Sequence, residues 1–127
     1  MKKFLTLALM SVLSCGVMAD DWKKLGERRV SFQSEQDVIH VSGFKGKYDN
    51  IAFKVDRAPI FMKKIRVVFG NGMSQTIHIN KRLHRGKRSL PFRLVDGDRI
   101  INKVEMDYKT AVGGYKYAEV SLYGKRS

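Results

Sequence analysis

The chain has 127 residues, with 25 Lys or Arg against 12 Asp or Glu, so its net charge at pH 7 is +13. A charge of this size favours anionic partners: lipopolysaccharide or anionic phospholipid headgroups, acidic glycans, or nucleic acid. The scarcity of acids argues against a glycosidase, which works with a pair of carboxylates. A chain of this length supports one hydrophobic core, so we expect one domain.

Residues 1–19 have the pattern of a cleavable secretory signal peptide. Two lysines at positions 2 and 3 precede an apolar run over residues 4–13, which is too short to cross a bilayer. We therefore expect an exported protein, periplasmic or secreted, with no transmembrane segment.

Cleavage is expected between Ala19 and Asp20, because Val17 and Ala19 put small residues at the minus-three and minus-one positions. The mature chain is then a single domain over residues 20–127. An alternative processing site is Cys15, whose setting loosely resembles the box before the lipidated cysteine of a bacterial lipoprotein. In that case the same domain would be anchored to a membrane by lipid.

Removal of the leader has two chemical consequences. Cys15 is the only cysteine, so the mature chain has none, and disulfide and thiol chemistry are excluded. The net charge falls from +13 to +11, because two lysines are lost with a leader that contains no acid. The domain must then be held together by its hydrophobic core.

After the leader, apolar and polar residues alternate at a period of two, and turn signals recur along the chain. This pattern predicts an all-β domain, an antiparallel β-sandwich of the jelly-roll type with about eight strands. The segments 22–32 and 37–42 are the first two predicted strands. The later rows that we expect to face the core are Ile51, Phe53 and Val55; Ile65, Val67 and Phe69; Ile77 and Ile79; Leu90, Phe92 and Leu94; Ile100, Val104, Met106 and Tyr108; and Ala118, Val120 and Leu122.

Glycine-containing segments mark the predicted turns. Asn71-Gly72 predicts a tight hairpin, because both residue types adopt the positive φ angles that such turns need. Further turns are expected at 96–98 and at 113–114. Pro91 has no N–H to donate to a ladder, so we expect it at a sheet edge or at the start of a strand.

Residues 81–88, which we call the basic segment, are expected to form a loop between strands and carry the highest local charge of the chain. The five cations are Lys81, Arg82, Arg85, Lys87 and Arg88, and His84 lies among them. Binding of a phosphate or sulfate group would relieve their mutual repulsion, whereas a solvated loop that favours solubility explains the same residues. Lys63, Lys64 and Arg66 would extend the patch if their strand bordered the segment.

Nucleic acid is a poor fit to the basic segment. Base recognition uses exposed aromatic rings interleaved with cations, and Leu83 is the only large apolar residue in the run. Non-specific phosphate binding is compatible with this composition, but sequence-specific recognition of bases is not indicated.

Tyrosines near the C-terminus suggest a second kind of site. Tyr115 and Tyr117, with Trp22 as a third ring, are candidate platforms for a neutral carbohydrate. Aromatic residues also strengthen β-sheets by packing across strand pairs, which explains the same tyrosines without a ligand.

No pattern of catalysis or metal binding stands out. His40, His78 and His84 are scattered, and Asp96-Gly97-Asp98 has too few oxygens for calcium, so we expect no metal site. No serine has the glycine-flanked elbow of a hydrolase nucleophile, so we expect no enzyme activity and no cofactor.

A set of turn and core residues resembles an uncharacterised family of small secreted bacterial proteins. These residues are Trp22, Leu25-Gly26, Ile51-Ala52-Phe53, Gly70-Asn71-Gly72, Arg99-Ile100-Ile101, Val104, Tyr108 and Leu122-Tyr123-Gly124. The resemblance implies a periplasmic β-sandwich from a Gram-negative bacterium and brings no activity and no catalytic residue. The basic segment does not belong to that pattern.

Together these features predict a non-enzymatic exported protein that binds anionic glycans or lipid headgroups of the cell envelope through the basic segment. A carbohydrate-binding module that uses Tyr115 and Tyr117 is one alternative. A protein interaction module that pairs through open sheet edges is another.

Overall fold

A computed structural model describes residues 21–31, 35–41, 46–110 and 117–126, and the backbone alone of Thr110. Every regular element within these residues is a β-strand. The nine strands are β1 (Lys23–Ser31), β2 (Gln36–His40), β3 (Lys47–Tyr48), β4 (Asn50–Asp56), β5 (Ile60–Phe69), β6 (Ser74–Leu83), β7 (Phe92–Arg93), β8 (Arg99–Thr110) and β9 (Tyr117–Lys125).

The strands form two antiparallel sheets. One has four strands in the order β1-β9-β4-β7, and the other has the order β2-β8-β5-β6, with the short β3 also paired to β8. When β3 is set aside and the remaining eight strands are renumbered, these orders become 1-8-3-6 and 2-7-4-5, the arrangement of a jelly roll. The predicted fold class is confirmed.

The core lies between the two sheets and is built from the alternating rows of the longer strands. Phe53 of β4, Leu122 of β9, Ile65 of β5 and Tyr108 of β8 are fully buried there. Burying each such side chain contributes about 1.5–3 kcal/mol relative to leaving it in water. The expected rows of β4, β5 and β9 do face the core, and Ala52 and Ser121 on the opposite face of their sheet are also buried.

The start of β8 departs from the predicted row. The pairing of Val68 with Lys103 and of Phe69 with Ile101 includes a β-bulge, which shifts the alternation by one residue. Ile101 is therefore buried and Ile100 is exposed, the reverse of what the period-two pattern predicts.

The predicted strand over residues 90–94 is also shorter than expected. Only Phe92 and Arg93 form β7, at the edge of the four-stranded sheet, and Leu90 is 71% exposed. The cause is local, because the side-chain hydroxyl of Ser89 bonds to the Leu90 carbonyl and Pro91 has no N–H to donate. The expected edge position of Pro91 is confirmed.

The hairpin between β5 and β6 is present but is not a two-residue turn. Its loop consists of residues 70–72, of which only Gly72 has a positive φ, of 89°. The Gly72 N–H donates to the Phe69 carbonyl over 3.0 Å. The Asn71 side chain accepts a hydrogen bond from the Met73 N–H at 3.0 Å, which holds the loop closed. This is the three-residue loop with a left-handed last residue.

Side chains and close backbone contacts join the two sheets at both edges. On one side, the Gln75 side chain of β6 donates to the Arg93 carbonyl and accepts from the Val95 N–H, at 3.2 and 2.9 Å. On the other side, β1 approaches β2 so closely that a Cβ at Gly26 would lie 2.8 Å from the His40 carbonyl oxygen. These contacts cover the start of the β6 edge and the place where β1 and β2 meet.

Candidate anion-binding surface

The basic segment is held against β4 and does not form a free loop. Lys81 and Arg82 lie within β6, where they pair with Met62 and Phe61, and Leu83 is buried in the core. The chain then leaves the five-stranded sheet and crosses to the four-stranded one. The expectation of a loop over residues 81–88 is therefore wrong for its first three residues.

Backbone contacts fix the second half of the segment. The Gly86 N–H donates to the Val55 carbonyl and the Ser89 N–H to the Phe53 carbonyl, each over 2.7 Å. Arg85 forms an isolated bridge with Val55, and Arg88 forms one with Lys54. The segment thus lies along the edge of β4 beyond the point where β7 ends. A fixed backbone limits the conformational entropy that these cations lose when they bind a ligand.

None of the five cations of the basic segment has an ion-pair partner among the described residues. Lys81, Arg82, Arg85, Lys87 and Arg88 are all exposed, and no carboxylate oxygen of a described residue lies within 4 Å of them. Lys54 of β4 and Lys125 of β9, on the same side of the molecule, also lack such a partner. Their charges therefore remain uncompensated within the described fold.

The outer face of the five-stranded sheet is different. Lys64 lies 3.7 Å from Asp107, and Glu105 accepts a hydrogen bond from Arg66 at 2.9 Å and lies 3.5 Å from Lys103. Lys64 and Arg66 are matched by acids on the neighbouring strand and Lys103 by an acid on its own strand, whereas Lys109 has no such partner in the described structure. Lys64 and Arg66 therefore do not extend the basic patch, contrary to expectation, although β5 does pair with β6.

Lys63 also does not contribute to the basic patch. Its ammonium group lies 3.7 Å from the Glu35 carboxylate, at the bulge between β5 and β6. Seven described cations without an ion-pair partner thus lie at the basic segment and the outer face of β4 and β9, and the other five lie elsewhere: Lys23, Arg29, Lys47, Arg57 and Lys109.

A cavity of about 660 Å³ lies on this face, between the matched charges. Acidic and basic side chains alternate along it, and His40 lies at its side. The lining includes Arg28, Asp37, Lys64, Arg66, Glu105 and Asp107. Since its charges cancel in pairs, it has no surplus with which to hold an anion.

A smaller cleft of about 350 Å³ opens beside the basic segment. It is lined by Trp22, Lys54, Gly86, Arg88 and Tyr123. The sequence predicts Arg88 as an anion-binding residue and Trp22 as an aromatic platform, but it does not predict that they share a site. Lys54 and Tyr123 are not among the residues predicted from the sequence. The outward positions of Lys54 and Tyr123 follow from strand alternation. The pairing of β4 with β9, which makes Lys54 and Tyr123 neighbours, cannot be predicted from strand alternation.

The two candidate tyrosine platforms have different outcomes. Tyr115 lies outside the described residues. Tyr117 is half-buried, and its ring centroid lies 4.1 Å from the Arg29 guanidinium carbon and 4.6 Å from that of Arg57. The ring is therefore engaged by two cations and is not a free platform. Tyr108, from the same region, is a fully buried core residue.

Two ionisable groups outside the basic segment have displaced pKa values. The hydrogen bond from Arg66 is the main cause of the lowered pKa of the Glu105 carboxyl, with smaller contributions from Lys103. The hydrogen bond with Glu27 is the main cause of the raised pKa of Lys24. Both pairs are exposed, so each contributes little to stability.

Within the described residues, no group of three or more His, Cys, Asp or Glu side chains is placed to hold a metal ion. None of these residues forms a helix that is long and apolar enough to span a membrane. Cys15, Ala19 and Asp20, on which the processing predictions depend, and the predicted turn at 113–114 lie outside the described residues.

The family of the chain can be stated from its sequence as a whole. A family model described as a domain of unknown function, DUF2541, matches residues 4–124. The chain belongs to the DUF2541 family. The resemblance to an uncharacterised family is thereby confirmed, whereas bacterial origin and secretion of this DUF2541 protein stay predictions.

Other similarities of this DUF2541 protein are distant. No curated protein matches it. Among solved structures, it is similar to Pseudomonas aeruginosa AlgX, with 11% sequence identity and a TM-score of 0.45 over 83% of this chain. The similar region spans 27% of the AlgX chain. A likeness at this level carries no functional inference.

Proposed function

We propose that this protein is an exported, non-enzymatic jelly-roll domain that binds anionic components of the cell envelope through the basic segment. The observation that carries the proposal is the set of five exposed cations, two on β6 and three in the stretch held beside β4, that have no carboxylate partner in the described structure. A fixed cluster of this kind attracts phosphate, sulfate or carboxylate groups at a distance and gains more when they bind than a mobile loop would.

Export rests on the leader pattern of residues 1–19 and restricts the candidate ligands. Outside the cytoplasm the abundant polyanions are acidic glycans and the anionic headgroups of lipids. Processing at Cys15 would place the same surface next to a membrane, whereas cleavage after Ala19 would release it.

The two alternative functions have less support. A neutral-carbohydrate site on Tyr117 would have to displace the Arg29 and Arg57 guanidinium groups from the ring. An interaction module that pairs through sheet edges needs an open edge, and the Gln75 contacts cover one end of the edge strand β6.

Binding to heparin, a soluble sulfated polymer, tests the proposal. The binding constant is measured at rising salt for the mature protein and for a variant in which Lys81, Arg82, Arg85, Lys87 and Arg88 are all replaced by Gln. We expect the affinity to fall steeply with salt, and the quintuple variant to bind about tenfold or more weakly.

A matched control variant removes the same charge from the five-stranded sheet. It replaces Lys47, Lys63, Lys64, Lys103 and Lys109 by Gln. If both variants lose affinity equally, net charge alone explains binding and the basic segment has no special role. If heparin and anionic phospholipid vesicles both fail to bind the unaltered protein at low salt, the proposal is wrong.

A further inference from the structure

We propose that the cleft lined by Trp22, Lys54, Gly86, Arg88 and Tyr123 is a subsite for one unit of an anionic saccharide, a sugar that carries a carboxylate or a sulfate. This inference rests on the proposed function and names the ligand class and the residues that recognise it. The cleft, of about 350 Å³, lies near the lower end of the range for small-molecule sites, so it suits a small ligand or one unit of a polymer.

The floor of the cleft is the outer face of the four-stranded sheet. Because Phe53 and Val55 face the core, Lys54 between them points outward, and Tyr123 of β9 points outward for the same reason. In the ladder Tyr123 pairs with Ala52 and Lys54 pairs with Ser121, which puts the two outward side chains on neighbouring strands. Two paired strands therefore hold these groups in a defined relation.

The walls come from segments that flank the sheet. Trp22 precedes β1, and Arg88 is held beside Lys54 by its bridge to β4. On the same side, a Cβ at Gly86 would find no atom within 4 Å, so the cleft is open there. A ligand bound in the cleft can thus extend along the rest of the basic segment.

Cations gather at the indole ring of Trp22. The guanidinium carbon of Arg88 lies 4.9 Å from the ring centroid, and the Lys125 ammonium nitrogen lies 5.7 Å from it. Cation–π attraction of this kind orients the two side chains before any ligand binds. Arg88 and Lys54 line the cleft, Lys125 lies against its Trp22 wall, and none of the described lining residues is an acid.

These groups match the chemistry of an anionic sugar. The planar guanidinium of Arg88 donates in a fork that suits a carboxylate or sulfate, and the lysines add positive charge. The indole N–H of Trp22 and the hydroxyl of Tyr123 are hydrogen-bond partners for sugar hydroxyls, and the Tyr123 ring offers apolar surface to the C–H face of a sugar. A bare phosphate would use the cations but not the rings.

A lipid surface fits this cleft less well. Insertion into a membrane needs exposed apolar side chains around the cationic groups, and the cleft is lined instead by two cationic residues, a glycine and two aromatic residues. The exposed Leu90, Val95 and Met73 are not among its lining residues.

The protein contains its own reporter for this site, since Trp22 is the only tryptophan in the chain. Fluorescence emission of the mature protein is followed during titration with a heparin tetrasaccharide, a neutral tetrasaccharide, or vesicles of an anionic phospholipid. We expect a saturable change in emission with the sulfated sugar, reduced by salt, and no change with the neutral sugar.

Single variants separate the cleft from the rest of the basic segment. Arg88→Gln and Lys54→Gln should each weaken tetrasaccharide binding about fivefold to tenfold. Lys87→Gln and Arg82→Gln remove the same charge from residues that do not line the cleft, and should cost about twofold or less while leaving the emission change intact. Thermal unfolding of each variant checks that it is folded.

The outcomes distinguish this inference from the proposed function. If heparin binds in a salt-dependent way but Trp22 emission does not change, or if Lys87→Gln costs as much as Arg88→Gln, the cleft is not the subsite and the proposed function stands. If only the vesicles change the emission, the ligand is a lipid headgroup and the saccharide assignment is overturned. If neither the tetrasaccharide nor heparin binds at low salt, the cleft assignment fails whatever the vesicles do.

Discussion

The hydroxyl of Tyr108, on β8 of the five-stranded sheet, donates a hydrogen bond to the backbone carbonyl of Ser31, on β1 of the four-stranded sheet, at 3.3 Å. The two residues are 77 positions apart in the chain. Tyr108 is fully buried, so its ring packs in the core while its hydroxyl links the sheets. A buried polar group without a partner is costly, so this bond lets a tyrosine occupy the core.

Replacing this tyrosine tests the link between the sheets. Tyr108→Phe keeps the ring and removes the hydroxyl, so we expect a loss of about 1 kcal/mol in the free energy of unfolding. For a domain of this size that corresponds to a fall in melting temperature of about 4–8 °C. Tyr123→Phe is the matched control, because the Tyr123 hydroxyl has no hydrogen bond in the described structure. An equal loss in both variants, measured by thermal unfolding, would contradict this interpretation.

Close approach of β1 and β2 at Gly26 makes a second prediction. A Cβ there would lie 2.8 Å from the His40 carbonyl oxygen and 3.0 Å from Ile39 Cγ2, and the backbone atom cannot move aside alone. Gly26→Ala should destabilise the protein by about 1–3 kcal/mol. At Gly70 the added Cβ would lie 3.0 Å from Ile100 Cγ2 and 3.3 Å from Ile100 Cβ, with the nearest backbone atom 3.9 Å away, so Gly70→Ala should cost less. Chemical denaturation of both variants measures the two losses of stability. A loss for Gly26→Ala no larger than that for Gly70→Ala would show that the sheets are not in contact at β1 and β2.

The side chain of Gln75 makes a third prediction, because it bonds to the backbone at Arg93 and Val95 as a neighbouring strand would. Gln75→Ala should cost about 1 kcal/mol and expose the Val95 N–H to solvent. Amide hydrogen exchange should then be faster at Val95, whereas Thr76→Ala, at the exposed next position, should leave it unchanged. Unaltered exchange at Val95 in the Gln75 variant would show that this side chain does not hold the edge.

The ion pair of Glu105 makes a prediction about pH. Its carboxyl pKa is lowered in the folded protein, chiefly by the hydrogen bond from Arg66, so the charged form is stabilised by folding. The resulting stability is present above the unfolded pKa of about 4.3 and is lost as the pH falls through the lower folded value. Because the pair is exposed, Glu105→Gln should cost less than about 1 kcal/mol at pH 7.

Denaturation at two pH values checks this sign. The difference between the unaltered protein and Glu105→Gln should be present at neutral pH and vanish at low pH, where both side chains are uncharged. Glu119→Gln is the control, since Glu119 has no ion-pair partner in the described structure, and its effect should be small at both pH values. A difference that grows on acidification would contradict the assignment.

The period-two pattern predicted the fold class, because the alternation of side chains along a strand depends only on local backbone geometry. Successive side chains of a strand point to opposite faces, so Ile51, Phe53 and Val55 had to share the buried side of any sheet that contained them. The pattern misplaced Ile100 and Leu90 for the same reason. A bulge and a proline change the alternation, and a bulge is decided by the partner strand.

The sequence by itself determined which residues are chemically suited to the candidate site. Five cations in eight residues define the basic segment, and a net charge of +13 makes the chain basic, whatever the fold. The family match over residues 4–124 also follows from the sequence, and it carries no activity.

Only the tertiary structure decided which of these charges remain uncompensated. Strand pairing puts Glu105 and Asp107 beside Arg66 and Lys64, although about forty positions separate them in the chain, and so removes two expected members of the basic patch. The jelly-roll order places β9 beside β4 and brings Trp22, Lys54, Arg88 and Tyr123 to one cleft. Charge and side-chain type are local properties of the chain, whereas the distance between charges depends on strand order and register, which long-range packing sets.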